Sequence, residues 1–298
     1  MPLLPRPGTI AKKHVRTVIM NSTAVTPLMG VTELAAALST RPPVVLDVRW
    51  ILGSPSQHNA YLAGHIPGAQ FCDLDADLAD PPGPRGRHPL PDPVRLERRA
   101  RQWGIDDDSD VVVYDAASST AAARAWWVLR WAGVVSVRVL DGGLAAWTAA
   151  DGALVAGLEQ AVPGSVTLRP GSLPVLDADD AGQWARSGRL VDARAPERYR
   201  GELEPIDPVA GHIPGAVNVP STALVTGSGH LRPVEELQGQ FAAAGLATPD
   251  GSVGVYCGSG VTAATAALAL TVLGRQPVLY PGSWSEWIAD PQHPVARG

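Results

Sequence analysis

Ala63-Gly64-His65-Ile66-Pro67-Gly68-Ala69 returns, residue for residue, as Ala210-Gly211-His212-Ile213-Pro214-Gly215-Ala216, 147 positions downstream. Seven identical residues in order mark an internal duplication. The flanks repeat in the same order: Val45-Leu46-Asp47-Val48-Arg49 parallels Leu190-Val191-Asp192-Ala193-Arg194, and Val113-Tyr114-Asp115 parallels Val255-Tyr256-Cys257. Further on, Gly142-Gly143-Leu144-Ala145-Ala146-Trp147 parallels Gly282-Ser283-Trp284-Ser285-Glu286-Trp287, the offset having drifted to 140 through loop lengths. Two homologous domains follow.

The stretch from Asp151 to Pro174 is dense in Gly and Pro, which punctuate helices and strands, so residues 156–174 are expected to link a first domain over 28–155 to a second over 175–298. Residues 1–27 have no counterpart in the second half and no periodicity. They are expected to be a disordered N-terminal extension, or to precede a true start nearer Met20 or Met29. Within the first repeat, apolar runs at Val44 to Asp47, Val111 to Tyr114 and Val137 to Leu140 read as strands, and Val31 to Leu38, Val94 to Trp103 and Ser119 to Trp131 as helices. The second repeat gives strands at Leu190 to Asp192, Val253 to Tyr256 and Val278 to Tyr280, with helices at Asp177 to Arg186, Val234 to Ala244 and Val261 to Leu273. Such alternation predicts an α/β fold, each domain a mainly parallel sheet flanked by helices.

Composition narrows the chemistry. With 298 residues and 45% hydrophobic content the chain can fill two cores, and a net charge of -5 (24 basic against 29 acidic residues) leaves no broad basic face for nucleic acid. No apolar run approaches the roughly 18 residues that cross a bilayer, so no membrane partner is expected and the cytoplasm is the expected address. Two cysteines, Cys72 and Cys257, make neither a disulfide framework nor a zinc site. The two lysines, Lys12 and Lys13, both lie in the N-terminal extension, which excludes Schiff-base and pyridoxal phosphate chemistry from the folded body. No metal or organic cofactor is expected.

Ligands of parallel sheets bind beyond the carboxyl ends of the strands, and there the second domain carries Cys257-Gly258-Ser259-Gly260-Val261-Thr262-Ala263. Two glycines let the backbone curl so that its N–H groups converge, and the first N–H groups of the following helix have no internal partners. Together they predict a cradle for an anion, including a nucleophilic thiolate. The alternative is a buried structural cysteine beside a tight turn. The matching first-domain loop, Tyr114-Asp115-Ala116-Ala117-Ser118-Ser119, has no thiol and no glycine. The cradle is therefore expected in the second domain alone, with the first as scaffold.

At these residues the sequence resembles the tandem rhodanese family of sulfurtransferases over roughly residues 30 to 290: two Gly-His-Ile-Pro-Gly-Ala segments, Asp at the cysteine position of the first domain, Asp141-Gly142-Gly143 with Trp147, and a cysteine loop in the second. The resemblance implies two tandem rhodanese-like domains. It makes Cys257 the persulfide-forming nucleophile, with the N–H groups of Gly258, Gly260, Val261 and Thr262 holding the sulfur and Arg198 binding substrate. Its mercaptopyruvate branch adds a relay of Ser259, His88 and Asp75. The implied reaction carries a sulfane sulfur from a small-molecule donor, 3-mercaptopyruvate or thiosulfate, to a thiol such as thioredoxin or a low-molecular-weight thiol, or to cyanide. The loop is similar to that of 3-mercaptopyruvate enzymes, since Gly258 and Ser259 stand where thiosulfate enzymes carry basic residues. One departure opposes this, because the mercaptopyruvate enzymes' second substrate arginine, nine positions after the first, is Asp207 here; Arg200 or Arg194 is expected to substitute.

Other readings stay in view. Phosphatases and arsenate reductases of related fold need an arginine six residues after the cysteine, and Ala263 stands there. A non-enzymatic persulfide carrier or regulatory rhodanese-like module would need Cys257 but not Arg198. Arg198 also reads as a surface ion-pair partner, and His88 as a loop histidine. His65 and His212 recur in both domains and are expected to set turn geometry. Trp126, Trp127 and Trp131 read as core or domain interface. Trp284 and Trp287 are expected as pocket walls or core, and Cys72 as a buried small hydrophobe or a redox-sensing thiol.

Overall fold

The computed structural model describes residues 26–116, 118–247 and 251–298, so the reading of residues 1–27 lies almost wholly outside the described residues. The first half runs β1 (Leu28–Met29), α1 (Val31–Thr40), β2 (Val44–Arg49), α2 (His58–Ala63), β3 (Gln70–Asp73), α3 (Leu74–Asp77), α4 (Pro93–Gln102), β4 (Asp110–Tyr114), α5 (Thr120–Trp131), β5 (Ser136–Leu140) and α6 (Gly143–Ala149). The second runs α7 (Ala178–Arg186), β6 (Leu190–Asp192), α8 (Pro196–Arg200), β7 (Val217–Asn218), α9 (Val234–Ala243), β8 (Val253–Tyr256), α10 (Ala263–Val272), β9 (Pro277–Leu279) and α11 (Ser283–Trp287). Both sheets are parallel, ordered β1-β5-β4-β2-β3 and β7-β6-β8-β9. Reversed, the second order matches β5-β4-β2-β3 strand for strand. The counterpart of β1 is reduced to one parallel bridge, Val175 to Leu279.

The duplicated heptad has a physical reason in each half. Arg49 forms a buried pair with Asp47 and donates to the Gly64 carbonyl, while the Tyr114 hydroxyl donates to Asp47 at 2.7 Å and accepts from Ile66 N at 3.1 Å. Arg194, Asp192, Gly211, Tyr256 and Ile213 repeat the pattern, with Arg194 Nη2 2.7 Å from Gly211 O and Ile213 N 3.1 Å from the Tyr256 hydroxyl. These groups satisfy one another in a dry site, where an unpaired member would carry its full desolvation cost. His65 and His212 belong to the same locks: each places Nδ1 on a tyrosine carbonyl, Tyr61 or Tyr199, and stacks on that ring at 4.0 and 3.8 Å. Their role is turn geometry, as their recurrence predicted.

α10 carries no polar face: Ala263 through Leu270 are all buried. A helix apolar all round must be enclosed, and α5 from the first half supplies the cover, with Trp126, Trp127 and Trp131 in a core that is continuous with Leu268 and Val255. The two helices that leave equivalent strand ends therefore pack on each other. Their N-terminal loops, one from each half, come to the same end of the molecule. The segment after α6 is laid along the first half, with Val166 N donating to Ile105 O and Arg169 N to Ala132 O.

Candidate active site

Cys257 follows β8 directly and its thiol sulfur accepts from Gly260 N at 3.1 Å. Gly260 has φ +79, and a Cβ there would lie 2.4 Å from Pro281 O, so the turn requires glycine both for conformation and for space. The loop is tied to α11 from behind. Trp284 N donates to Cys257 O and Ser285 N to Gly258 O, each at 2.9 Å, and Cys257 N donates to Ser283 Oγ at 3.2 Å. Ser283 holds a φ of 54, a left-handed conformation uncommon for serine, and its hydroxyl also reaches Tyr280 O. Helix α10 begins two residues later than the apolar pattern suggested, at Ala263, with Val261 buried and Thr262 in the cap position without a side-chain capping bond.

The equivalent loop of the first half corrects the expectation that only one cradle exists. Asp115 accepts from Ser119 N at 3.0 Å through Oδ1, and from Ala121 N and Ala122 N at 3.0 and 3.1 Å through Oδ2. Converging N–H groups survive without glycine, because Ser119 itself adopts φ 56. The first half thus fills an anion cradle with its own carboxylate, whereas the second presents a thiol.

His88 and Asp75 meet as the resemblance implied: His88 Nε2 lies 3.0 Å from Asp75 Oδ1, which also accepts from Trp50 Nε1 at 2.9 Å. A carboxylate acceptor assigns the proton to Nε2 and leaves Nδ1 as a lone pair. Nδ1 is buried and without a protein partner among the described residues. Burial, and then the Arg124 charge, push His88 down to about 4 despite the opposing pull of Asp75. Ser259 is buried in the loop, yet no hydrogen bond joins it to His88 among the described residues.

Arg124 is the group that sequence reading missed. This fully buried guanidinium of α5 donates to Gly260 O at 3.2 Å, His88 O at 3.1 Å and Leu78 O at 3.2 Å. It thereby fixes the histidine segment of one half against the cysteine loop of the other. Burial pushes its pKa down to about 10, opposed by the charge of Cys257, so it remains cationic behind the Cys257 loop at neutral pH. Its signal was a lone charge inside the apolar run Ala121 to Leu129.

Arg198 stands at the mouth of the loop, bonded to Glu204 through Nε at 3.0 Å and to Asp207 through Nη2 at 2.9 Å. The two proposed substitutes for a second arginine do not reach it: Arg194 is consumed by Asp192, and Arg200 pairs outward with Glu202. Trp284 and Trp287 are core rather than walls of a pocket at Cys257, although Trp287 also lines a shallow cavity beside α7. Trp284 packs with Tyr256 and Tyr280 and donates to Val209 O, while Trp287 stacks on His293 beside a shallow cavity lined by Ala178, Gly182 and Arg186. Cys72 is a buried core residue whose thiol burial pushes up, and both cysteines are free. Among the described residues no helix is long and apolar enough to cross a membrane.

Comparison with known proteins places this geometry. Residues 30–150 and 175–290 each match the rhodanese-like domain. A Mycobacterium tuberculosis protein provisionally named a thiosulfate sulfurtransferase, SseB, is 47% identical over 278 residues, covering 91% of this chain and 97% of the relative. A Pseudomonas aeruginosa protein provisionally named a 3-mercaptopyruvate sulfurtransferase is 47% identical over 280 residues, covering 91% and 98%. The crystal structure of SseA from Escherichia coli, presented with the rhodanese fold and catalytic mechanism of 3-mercaptopyruvate sulfotransferases, superposes with a TM-score of 0.78 at 35% identity, covering 88% of this chain and all of that one.

Proposed function

The chain belongs to the rhodanese family and is a sulfurtransferase, and from that premise we propose that Cys257 takes the sulfane sulfur of 3-mercaptopyruvate in preference to thiosulfate. The cysteine thiolate attacks the donor sulfur; the S–S bond of a persulfide forms as the donor C–S bond breaks, and the electron pair leaves with the pyruvate enolate. The proton on the donor thiol must then pass to the enolate carbon. The neutral His88, oriented by Asp75 with Nδ1 unoccupied, supports a role in that transfer, and the Ser259 hydroxyl lies in the same loop as the nucleophile. Thiosulfate needs no such relay, because its leaving group, sulfite, departs without a proton.

Arg198 binds the donor anion, and the loop N–H groups of Gly258, Gly260, Val261 and Thr262 hold the sulfur carried on Cys257. The persulfide passes its outer sulfur to a thiol of the cytoplasm, such as thioredoxin or a low-molecular-weight thiol, or to cyanide. The observation that carries this reading is that Arg124 ties the backbone of His88, whose ring Asp75 orients, to the Gly260 turn that holds the Cys257 thiol. Steady-state comparison of the two donors tests it. A higher kcat/KM is expected for 3-mercaptopyruvate; a higher value for thiosulfate would overturn the donor choice and leave sulfur transfer standing.

A further inference from the structure

Asp207 lies in the loop that follows α8, and its carboxylate is held between two arginines from different halves. It accepts from Arg87 Nη1 on one oxygen and from Arg198 Nη2, at 2.9 Å, on the other. Among the described residues, its pair with Arg87 is the one ion pair that joins the halves. Both guanidinium groups face the cysteine loop: a Cβ built on Gly258 would sit 2.8 Å from Arg87 Nη2 and 3.5 and 3.6 Å from the two terminal nitrogens of Arg198. Asp207 thus stands one side chain away from the residue that follows Cys257.

The position of this carboxylate is fixed. Its side chain is only 2% exposed, and the N–H groups of Ile206 and Asp207 both donate to Glu204 Oε1 at 3.1 Å. Glu204 is held in turn by Arg194 and Arg198. A charge so enclosed is little screened by salt and acts on any anion that reaches the cysteine loop. The sum of charges decides what that action is. Arg87, Arg194 and Arg198 are balanced by Asp192, Glu204 and Asp207, so the cluster is formally neutral, and without Asp207 it would carry one positive charge. Net positive charge attracts a dianion more strongly than a monoanion, and Asp207 removes that advantage.

We propose that Asp207 is a specificity-determining residue of this site, whose carboxylate cancels a guanidinium charge beside the cysteine loop and so selects donors with one negative charge over donors with two. This rests on the sulfurtransferase reading above and gives its donor preference an electrostatic cause. 3-Mercaptopyruvate enters with one charge, on its carboxylate, and thiosulfate with two. Removing the Asp207 charge should therefore favour each added negative charge on the incoming molecule by one common factor.

The test uses two pairs of reagents that differ by one charge, in full-length wild type, Asp207→Asn and Asp207→Ala. The first pair is iodoacetamide and iodoacetate, scored by the rate of Cys257 alkylation; the second is 3-mercaptopyruvate and thiosulfate, scored by kcat/KM. In both variants the iodoacetate-to-iodoacetamide ratio is expected to rise about tenfold, and the thiosulfate-to-mercaptopyruvate ratio by a similar factor. Unchanged ratios would overturn the proposal. So would equal acceleration or slowing within each pair, which would mark Asp207 as a gate or a brace without electrostatic selection. Should neither variant fold, protection of wild-type Cys257 against iodoacetamide decides: pyruvate, with one charge, should protect at lower concentration than malonate, with two, and the reverse order would overturn the proposal. If no donor loads sulfur onto wild-type Cys257, the functional reading falls, while the alkylation ratio still decides for or against the role of Asp207.

Discussion

Cys257 and Asp115 occupy equivalent strand ends, and the contrast between them separates chemistry from support. The carboxylate of Asp115 saturates its own cradle, so no exogenous anion can enter without displacing it. Cys257 engages one N–H and leaves the start of α10 uncapped. His88 adds a proton-accepting atom held neutral by its surroundings. Its value near 4 in the folded protein lies below the ordinary 6.5, so between those pH values the unfolded chain binds a proton that the folded chain does not. Stability therefore falls as pH drops from 6.5 toward 4, and replacing His88 with Asn should remove that slope in pH-dependent unfolding. In the same variant, kcat/KM for 3-mercaptopyruvate is expected to fall about a hundredfold and that for thiosulfate far less. Equal losses with both donors would remove His88 from proton transfer.

At the scale of elements, the site depends on α5 and α10 meeting as a pair. Arg124 is the polar connection in that apolar contact, and its three carbonyl partners would lose a donor together in an Arg124→Met variant. Such a change should cost about 2–4 kcal/mol of stability by leaving buried carbonyls unsatisfied. It should also lower kcat/KM for 3-mercaptopyruvate under conditions where the variant remains folded, since His88 and Gly260 lose their shared anchor. Chemical denaturation and assays well below the melting temperature check the two effects separately; wild-type stability would contradict the bonding described.

The legibility of the elements follows from their burial. Central strands such as Val253–Tyr256 and Leu190–Asp192 are apolar on both faces and were readable to the residue. Edge strands β3 and β7 were not, because Gln70, Asp73 and Asn218 break the apolar signal where a strand has one neighbour. Trp284 was ambiguous for another reason: a residue next to the Cys257 turn can still direct its ring to the opposite face, as this one does into the core around Tyr256. Cys257 could be read from a strand end and two glycines. Arg87 could not, since its partners, Asp207 and the Gly258 loop, are more than a hundred residues away in the chain.

Across the whole molecule, duplication explains the architecture and divergence explains the function. Each half keeps the Asp-Arg-Tyr lock under its Gly-His-Ile-Pro-Gly-Ala turn. Cys257 and Arg198 come from the second half; Asp75, His88, Arg87 and Arg124 come from the first and are held there by the shared core. The central claim is that this composite site loads sulfur onto one thiol. Peptide mass spectrometry of the intact protein after donor treatment tests it most directly. The Cys257 peptide should gain about 32 Da, one sulfur atom, as covalent catalysis requires, and the Cys72 peptide should gain nothing, its thiol being buried and held protonated. A sulfur adduct on Cys72 with none on Cys257 would contradict the account.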